Sequence, residues 1–253
     1  MTGGARGVGL GITRVLSDLG AVPIVCARHP SDAVAGIARA EYVACDVRDE
    51  GAVEEMVAGI VTRHGRLDGL VNNAGGSPFA PAIDASARFS AKIVELNLLA
   101  PLMVARAAYT VMRGQADAYG GGTGTGGGIV NVSSVSGHRP SPGTSAYGAA
   151  KAGLDNLTTS LAVEWAPEVR VNSVVAGPVE TERSALHYGD DDGLAAVART
   201  IPMGRLAAPA DIGHAVAFLL SPLAAYITGA TLAVHGGGER PAFLDAATAG
   251  NDV

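Results

Sequence analysis

The chain has 253 residues, 48% of them hydrophobic, and a formal net charge of −6, which suits one large domain with a full core. Its basic residues are scattered rather than clustered, which argues against nucleic acid and anionic membrane as main partners. No uninterrupted apolar run approaches the ~20 residues that cross a bilayer, and no basic-plus-apolar signal segment opens the chain. The expectation is a cytoplasmic protein, residues 1–253 forming a single domain, with Cys26 and Cys45 reduced and buried and no metal site.

Gly3, Gly7 and Gly9 lead into a helical pattern carried by Leu10, Val15, Leu16 and Leu19. Glycines ahead of a helix let a phosphate approach the backbone, and the helix N-terminus favours its charge. Val22 to Ala27 reads as a short buried strand followed at once by Arg28. At the end of such a strand a carboxylate favours a free ribose 2′-hydroxyl and an arginine favours a 2′-phosphate; Arg28, with Arg6 in the glycine turn, points to NADP(H), with NAD(H) as the other choice. Tyr42 to Val47 is the next strand and contains Asp46. A helix over Glu50 to His64 and a strand over Leu67 to Val71 follow, closed by Asn72-Asn73-Ala74-Gly75.

Strand and helix thus alternate from the start, the pattern of a parallel sheet covered on both faces. Ser90 to Met112 reads as a long helix that places a polar amide, Asn97, in an apolar stretch, where it needs partners. Gly114 to Gly128 reads as a mobile surface loop within the domain. Ile129, Val130 and Val132 form a strand ending in Ser133 and Ser134. After a Pro/Gly turn, Thr144 or Ser145 can cap a helix that carries Tyr147 and Lys151. At i and i+4 these two side chains share one helix face, roughly 5–6 Å apart at Cβ. A phenol near an ammonium can exchange a proton at lower pH than its ordinary value of about 10. Val169 to Val175 is a further strand, Glu182 to Arg205 a polar, lid-like segment, Asp211 to Leu220 a helix, Thr231 to Val234 a last strand, and Glu239 to Val253 a tail.

Together these residues resemble the short-chain dehydrogenase/reductase family from Thr2 to about Gly238. The resemblance rests on Thr2-Gly3-x-x-x-Gly7-x-Gly9, Asp46, Asn72-Asn73-Ala74-Gly75, Asn97, Ser134, Tyr147-x-x-x-Lys151 and Gly177 to Thr181. It implies an α/β, Rossmann-like doubly wound parallel sheet and NAD(P)(H)-dependent hydride transfer between a secondary alcohol and a ketone. A 3-oxoacyl thioester, a steroid-like ketone or a smaller one is the implied substrate. By the same resemblance Tyr147 is the general acid/base, and Lys151 lowers its pKa and holds the nicotinamide ribose. Ser134 binds the substrate oxygen, and Asn97 holds a water that links Lys151 to solvent. Gly3, Arg6, Gly7 and Val8 would lie at the pyrophosphate, Asp46 and Val47 at adenine, Asn73 near the ribose, and Val179 and Thr181 at the carboxamide and phosphates. A homotetramer or homodimer is implied as well.

Three positions depart from the family pattern. Ala176 replaces a proline before Gly177, and His235 replaces an aspartate, where local packing or an interface should feel the change. Met1 stands directly before Thr2, so the first central strand of the sheet is missing; the expectation is a natural start upstream, and otherwise weak stability and poor cofactor affinity. A non-catalytic nucleotide-binding relative is the competing expectation.

Overall fold

The computed structural model describes residues 1–118 and 126–247. Strands β1 (Ile24–Ala27) and β2 (Glu41–Ala44) pair with each other. Strands β3 (Gly69–Asn72), β4 (Gly127–Ser134), β5 (Val169–Ala176) and β6 (Thr231–Val234) form a second sheet in that order, and every pairing is parallel. Between β1 and β3 run Met1 to Gly3. The Met1 ammonium donates to the Ile24 carbonyl (2.7 Å), the Cys26 N–H to the Met1 carbonyl (2.8 Å) and the Gly3 N–H to the Cys26 carbonyl (2.8 Å), while on the other side the Thr2 N–H donates to the Val71 carbonyl (2.9 Å). Three residues thus hold the end of the central position from which the glycine turn departs.

Strand alternation divides the core into two. Leu70, Ile129, Val169 and Val171 face helices α3 (Glu50–His64), α5 (Ala100–Ala118) and α6 (Ser145–Trp165). Val71, Val130, Val132 and Val174 face α1 (Gly7–Asp18) and α9 (Pro209–Leu220), where Ile12, Ile212, Val216 and Leu219 meet them. The period of two sends successive side chains to opposite layers, so nearly continuous apolar strands are what a doubly covered sheet needs. The expected α/β fold is the observed one. Within buried β5, the Arg170 guanidinium donates to the Leu219 carbonyl (2.6 Å) at the end of α9, where a cation suits the helix dipole.

Three segments differ from the sequence reading. The long helix begins at α4 (Ala87–Val94), with the Ser86 hydroxyl accepting the Phe89 N–H (3.1 Å), and widens into a π turn over Glu95–Leu99 before α5. Pro101 supplies the cause: it has no N–H to give the Asn97 carbonyl four residues back, and in an ordinary helix its ring would collide with that carbonyl. Although α4 to α5 is apolar and long enough to cross a bilayer by length and composition, Ala100, Val104, Ala108 and Met112 bury one side of it in the core. The expected glycine loop shrinks at both ends, since Gly114 to Ala118 continue α5 and β4 begins at Gly127; residues 119–125 lie outside the described residues. The lid-like segment contains α7 (Ala185–Tyr188) and α8 (Asp191–Thr200). There the acidic triplet is a helix start: the Asp190 carboxylate caps the Gly193 N–H (3.1 Å), and Asp191 and Asp192 occupy the first turn.

Candidate active site

The C-terminal ends of β3 and β4 and the first turns of α6 converge. Ser134 closes β4, and its hydroxyl accepts the Ser136 N–H (3.2 Å), which fixes the tight turn Val135–Gly137. Gly137 and Gly148 let that turn lie against α6, since a Cβ on either would stand 2.7 Å from neighbouring backbone. The expected side-chain cap on α6 is not made. The Thr144 hydroxyl pairs with Ser141 (2.6 Å), and helix bonding begins from its carbonyl, which accepts the Gly148 N–H (3.0 Å).

On α6, Tyr147 is half-buried, with the Ser134 hydroxyl close enough to act on its phenol. Burial pushes the phenol above the ordinary value, the Ser134 hydroxyl pulls the other way, and the Tyr188 phenol adds a small upward push. Lys151 is buried, and its ammonium donates to the Val132 carbonyl at 2.7 Å and lies 5.6 Å from the centre of the Tyr147 ring. Burial lowers Lys151 to about 8, opposed by the carboxylate of Asp155. This corrects the expectation that Lys151 lowers the Tyr147 pKa: Tyr147 is held as a neutral phenol, and Lys151 is aimed at a backbone carbonyl.

One helical turn beyond Lys151, Asp155 is the residue that pattern reading missed. Its Oδ1 accepts the Ser173 hydroxyl (2.6 Å) and its Oδ2 the Ser133 hydroxyl (2.8 Å), with His138 Nε2 at 2.9 Å from the same oxygen. The signal was present in the sequence as a second i, i+4 pair on the face of Tyr147 and Lys151.

Asn97 is fully buried and serves the loop after β3. Its Nδ2 donates to the Gly76 and Ile93 carbonyls (3.0 and 2.9 Å), and its Oδ1 accepts the Gly76 N–H (2.9 Å). Gly75 packs between the two polar groups, where a Cβ would stand 2.6 Å from Asn97 Oδ1 and 3.5 Å from Lys151 Nζ. Asn72, the last residue of β3, ties that strand to the start of α5 by donating to the Pro101 carbonyl (3.1 Å).

The predicted dinucleotide residues collect around the start of α1. The Thr2 hydroxyl accepts the Asn73 and Ala74 N–H groups (both 3.0 Å), and Asn73 Nδ2 donates to the Thr2 and Gly3 carbonyls (3.2 and 3.1 Å). The Asn73 amide group is therefore spent on the turn itself. A Cβ on Gly9 would meet the Gly3 carbonyl at 2.1 Å, and one on Gly3 would meet Ala74 Cα at 2.9 Å. Gly7, at φ +53°, opens instead toward Thr181, whose Cγ2 is 3.7 Å from the place of a Cβ. Arg6 and Arg28 are exposed. The side chains of Val8 and Val179 pack, partly buried, on the α1–α9 core and that of Val47 on the opposite one. Asp46 is clamped by Arg48, which donates through Nε (2.9 Å) and Nη2 (2.6 Å), and this holds the carboxyl at about 2, with Arg28 adding a smaller push.

Beside the Ser134 turn lies a cavity of about 420 Å³ lined in part by His138, Val175, Pro178, His235 and Glu239. His235 packs closely on Gly177, whose Cβ would stand 2.8 Å from its Cα, and its Nδ1 is buried with no hydrogen-bond partner among the described residues.

A family model described as enoyl-(acyl carrier protein) reductase matches residues 3–239. The chain is 36% identical over 245 residues to cis-4-hydroxycyclohexanecarboxylate dehydrogenase of Sinomonas cyclohexanicum, covering 94% of each. It is 33% identical over 246 residues to dehydrogenase/reductase SDR family member 4 of Homo sapiens, covering 94% of this chain and 85% of the relative. A solved short chain dehydrogenase/reductase family protein superposes with a TM-score of 0.80 at 36% identity over 94% of each chain, and gox2181 with 0.84 at 30% identity over 93% of each. Built on this sheet, and alike along nearly its whole length, the chain belongs to the short-chain dehydrogenase/reductase family.

Proposed function

We propose that the protein is an NADP(H)-preferring oxidoreductase that interconverts a secondary alcohol and a ketone, with Tyr147 as its general acid/base. The observation that carries this reading is the meeting of Ser134, Tyr147 and Lys151 at the C-terminal edge of β4, with the Ser134 hydroxyl acting on the Tyr147 phenol and the Lys151 ammonium 5.6 Å from its ring centre. The glycine turn fits a dinucleotide. Its crowded side admits only glycine at Gly3 and Gly9, and its open side, at Gly7, presents an N–H that already bonds a carboxylate oxygen. Gly3, Arg6, Gly7 and Thr181 would hold the pyrophosphate, Asp46 and Val47 the adenine edge, and Arg28 the 2′-phosphate. A bound nicotinamide contributes the hydride chemistry.

The chain's own groups supply position and a proton. The Ser134 hydroxyl, at the end of a rigid strand, orients the substrate oxygen, and the neutral Tyr147 phenol donates its proton to that oxygen as negative charge develops. In the alcohol-oxidising direction the Tyr147 oxygen, as phenolate, takes the proton from the substrate hydroxyl. Lys151 stabilises the transient phenolate by its charge, and Asp155 balances that charge inside the protein. Pro101 removes the α-helical donor to the Asn97 carbonyl, and in this reading that carbonyl would accept from a water beside Lys151. One relative is named for oxidising a ring alcohol, and a ring or small secondary alcohol is the first substrate class to try; 3-oxoacyl and steroid-like ketones complete the panel.

Purified protein mixed with the ketones and NADPH or NADH, and with the alcohols and NADP+ or NAD+, should change the nicotinamide absorbance with at least one member, and the phosphorylated cofactor should be preferred. No turnover on any member would favour a nucleotide-binding relative without catalysis. Arg28→Asp should lower the NADPH/NADH ratio of kcat/KM at least tenfold, because a carboxylate repels the 2′-phosphate and accepts from a free 2′-hydroxyl. An unchanged ratio removes Arg28 from that role.

A further inference from the structure

The glycine turn carries an anion of the chain's own. Glu182, six residues past the end of β5, extends its carboxylate to the start of α1, where Oε1 accepts the Gly7 N–H at 3.1 Å. Nothing else in the first turn competes for this place: α1 has no acidic residue there, and Arg6, at the N-cap, makes no side-chain capping bond. The first N–H groups of a helix need outside acceptors, and the helix dipole favours a negative one. Glu182 meets both needs with the group that Thr181, its neighbour, also flanks. This is the position a dinucleotide pyrophosphate takes under the function proposed above, on which the following inference rests.

We propose that Glu182 is a displaceable internal anion that occupies the pyrophosphate position and must leave before the cofactor binds. Carboxylate and pyrophosphate cannot share the Gly7 N–H, and they repel each other at contact distance. The apparent affinity for the cofactor is therefore the intrinsic affinity multiplied by the fraction of molecules in which Glu182 has swung away. If that fraction is about one in ten, removing the carboxylate tightens binding about tenfold. The side chain is exposed, so its replacement leaves both cores intact.

The test measures dissociation constants by calorimetry for wild type, Glu182→Gln and Glu182→Ala. NADPH and ADP-ribose carry the pyrophosphate, and adenosine does not. Both variants should bind NADPH and ADP-ribose about tenfold more tightly than wild type, with adenosine unchanged. Equal or weaker binding of the two pyrophosphate ligands by the variants overturns the proposal, as does an equal gain for adenosine. A wild-type protein that binds none of the three would instead overturn the dinucleotide reading itself, and the two failures are distinct. Thermal unfolding of each variant without ligand confirms that equal affinities reflect folded protein.

Discussion

Tyr147→Phe should lower kcat about a thousandfold while the dissociation constant for NADPH stays within about threefold of wild type. The ring survives the substitution and keeps its half-buried place on α6, so the packing against the Ser134 turn is retained. What disappears is the hydroxyl beside Ser134, the atom that gives a proton to the substrate oxygen in the mechanism proposed above. Steady-state rates on the best member of the ketone panel, together with a fluorescence titration of NADPH, separate the two effects. A variant that keeps more than a tenth of the activity would mean that another group moves the proton. The Tyr188 phenol would then be the first to examine, since it lies within electrostatic reach of Tyr147.

Asp155→Ala should destabilise the fold by about 3 kcal/mol, and Asp155→Asn by less. The alanine variant strips an acceptor from Ser133 and Ser173 and leaves the buried Lys151 without its nearby negative charge. Asparagine keeps the shape and one acceptor and loses the charge. Urea unfolding followed by circular dichroism measures both, and a loss below 1 kcal/mol for alanine would show that the network bears little of the fold.

The same experiment repeated across pH reports on Lys151. In the folded protein it releases its proton near pH 8, in the unfolded chain near 10.5. Between those values the unfolded chain binds more protons, so stability gained from this group rises with pH, by about 3 kcal/mol across the full window. The rise should begin at lower pH in Asp155→Asn, because the ammonium has lost its support. It should vanish in Lys151→Met.

The sheet and the positions of Tyr147 and Lys151 were readable because each follows from local pattern. Alternating apolar runs mark doubly covered strands, and Tyr147 and Lys151 share a face by helical period alone. Other features depend on contacts between distant segments. Nothing local to Asp46 says that Arg48 will clamp it, and nothing near Asn73 says that its amide will be spent on the carbonyls of Thr2 and Gly3. The segment Glu182 to Arg205 reads as lid-like from its polarity alone, yet Asp190, Asp191 and Asp192 equally suit the cap and first turn of a helix. Glu182 lies 175 residues from the Gly7 N–H it bonds, and only the folded sheet brings them together. Pro101 is the instructive middle case: its missing N–H was visible, yet its effect falls on Asn97, four residues earlier.

The π turn has a geometric consequence for the whole helical rod from α4 through α5. Each residue of an ordinary helix advances about 100° around the axis, so one extra residue in a turn acts as a phase shift between the two ends. Here α4 lies against α6, whereas α5 lies mainly against α3 and the sheet. In an unbroken α-helix the stripe that α4 turns to α6 would continue into α5 without that shift of phase. The widened turn lets one rod address two directions, and it sets Asn97 at the seam where the bearing changes.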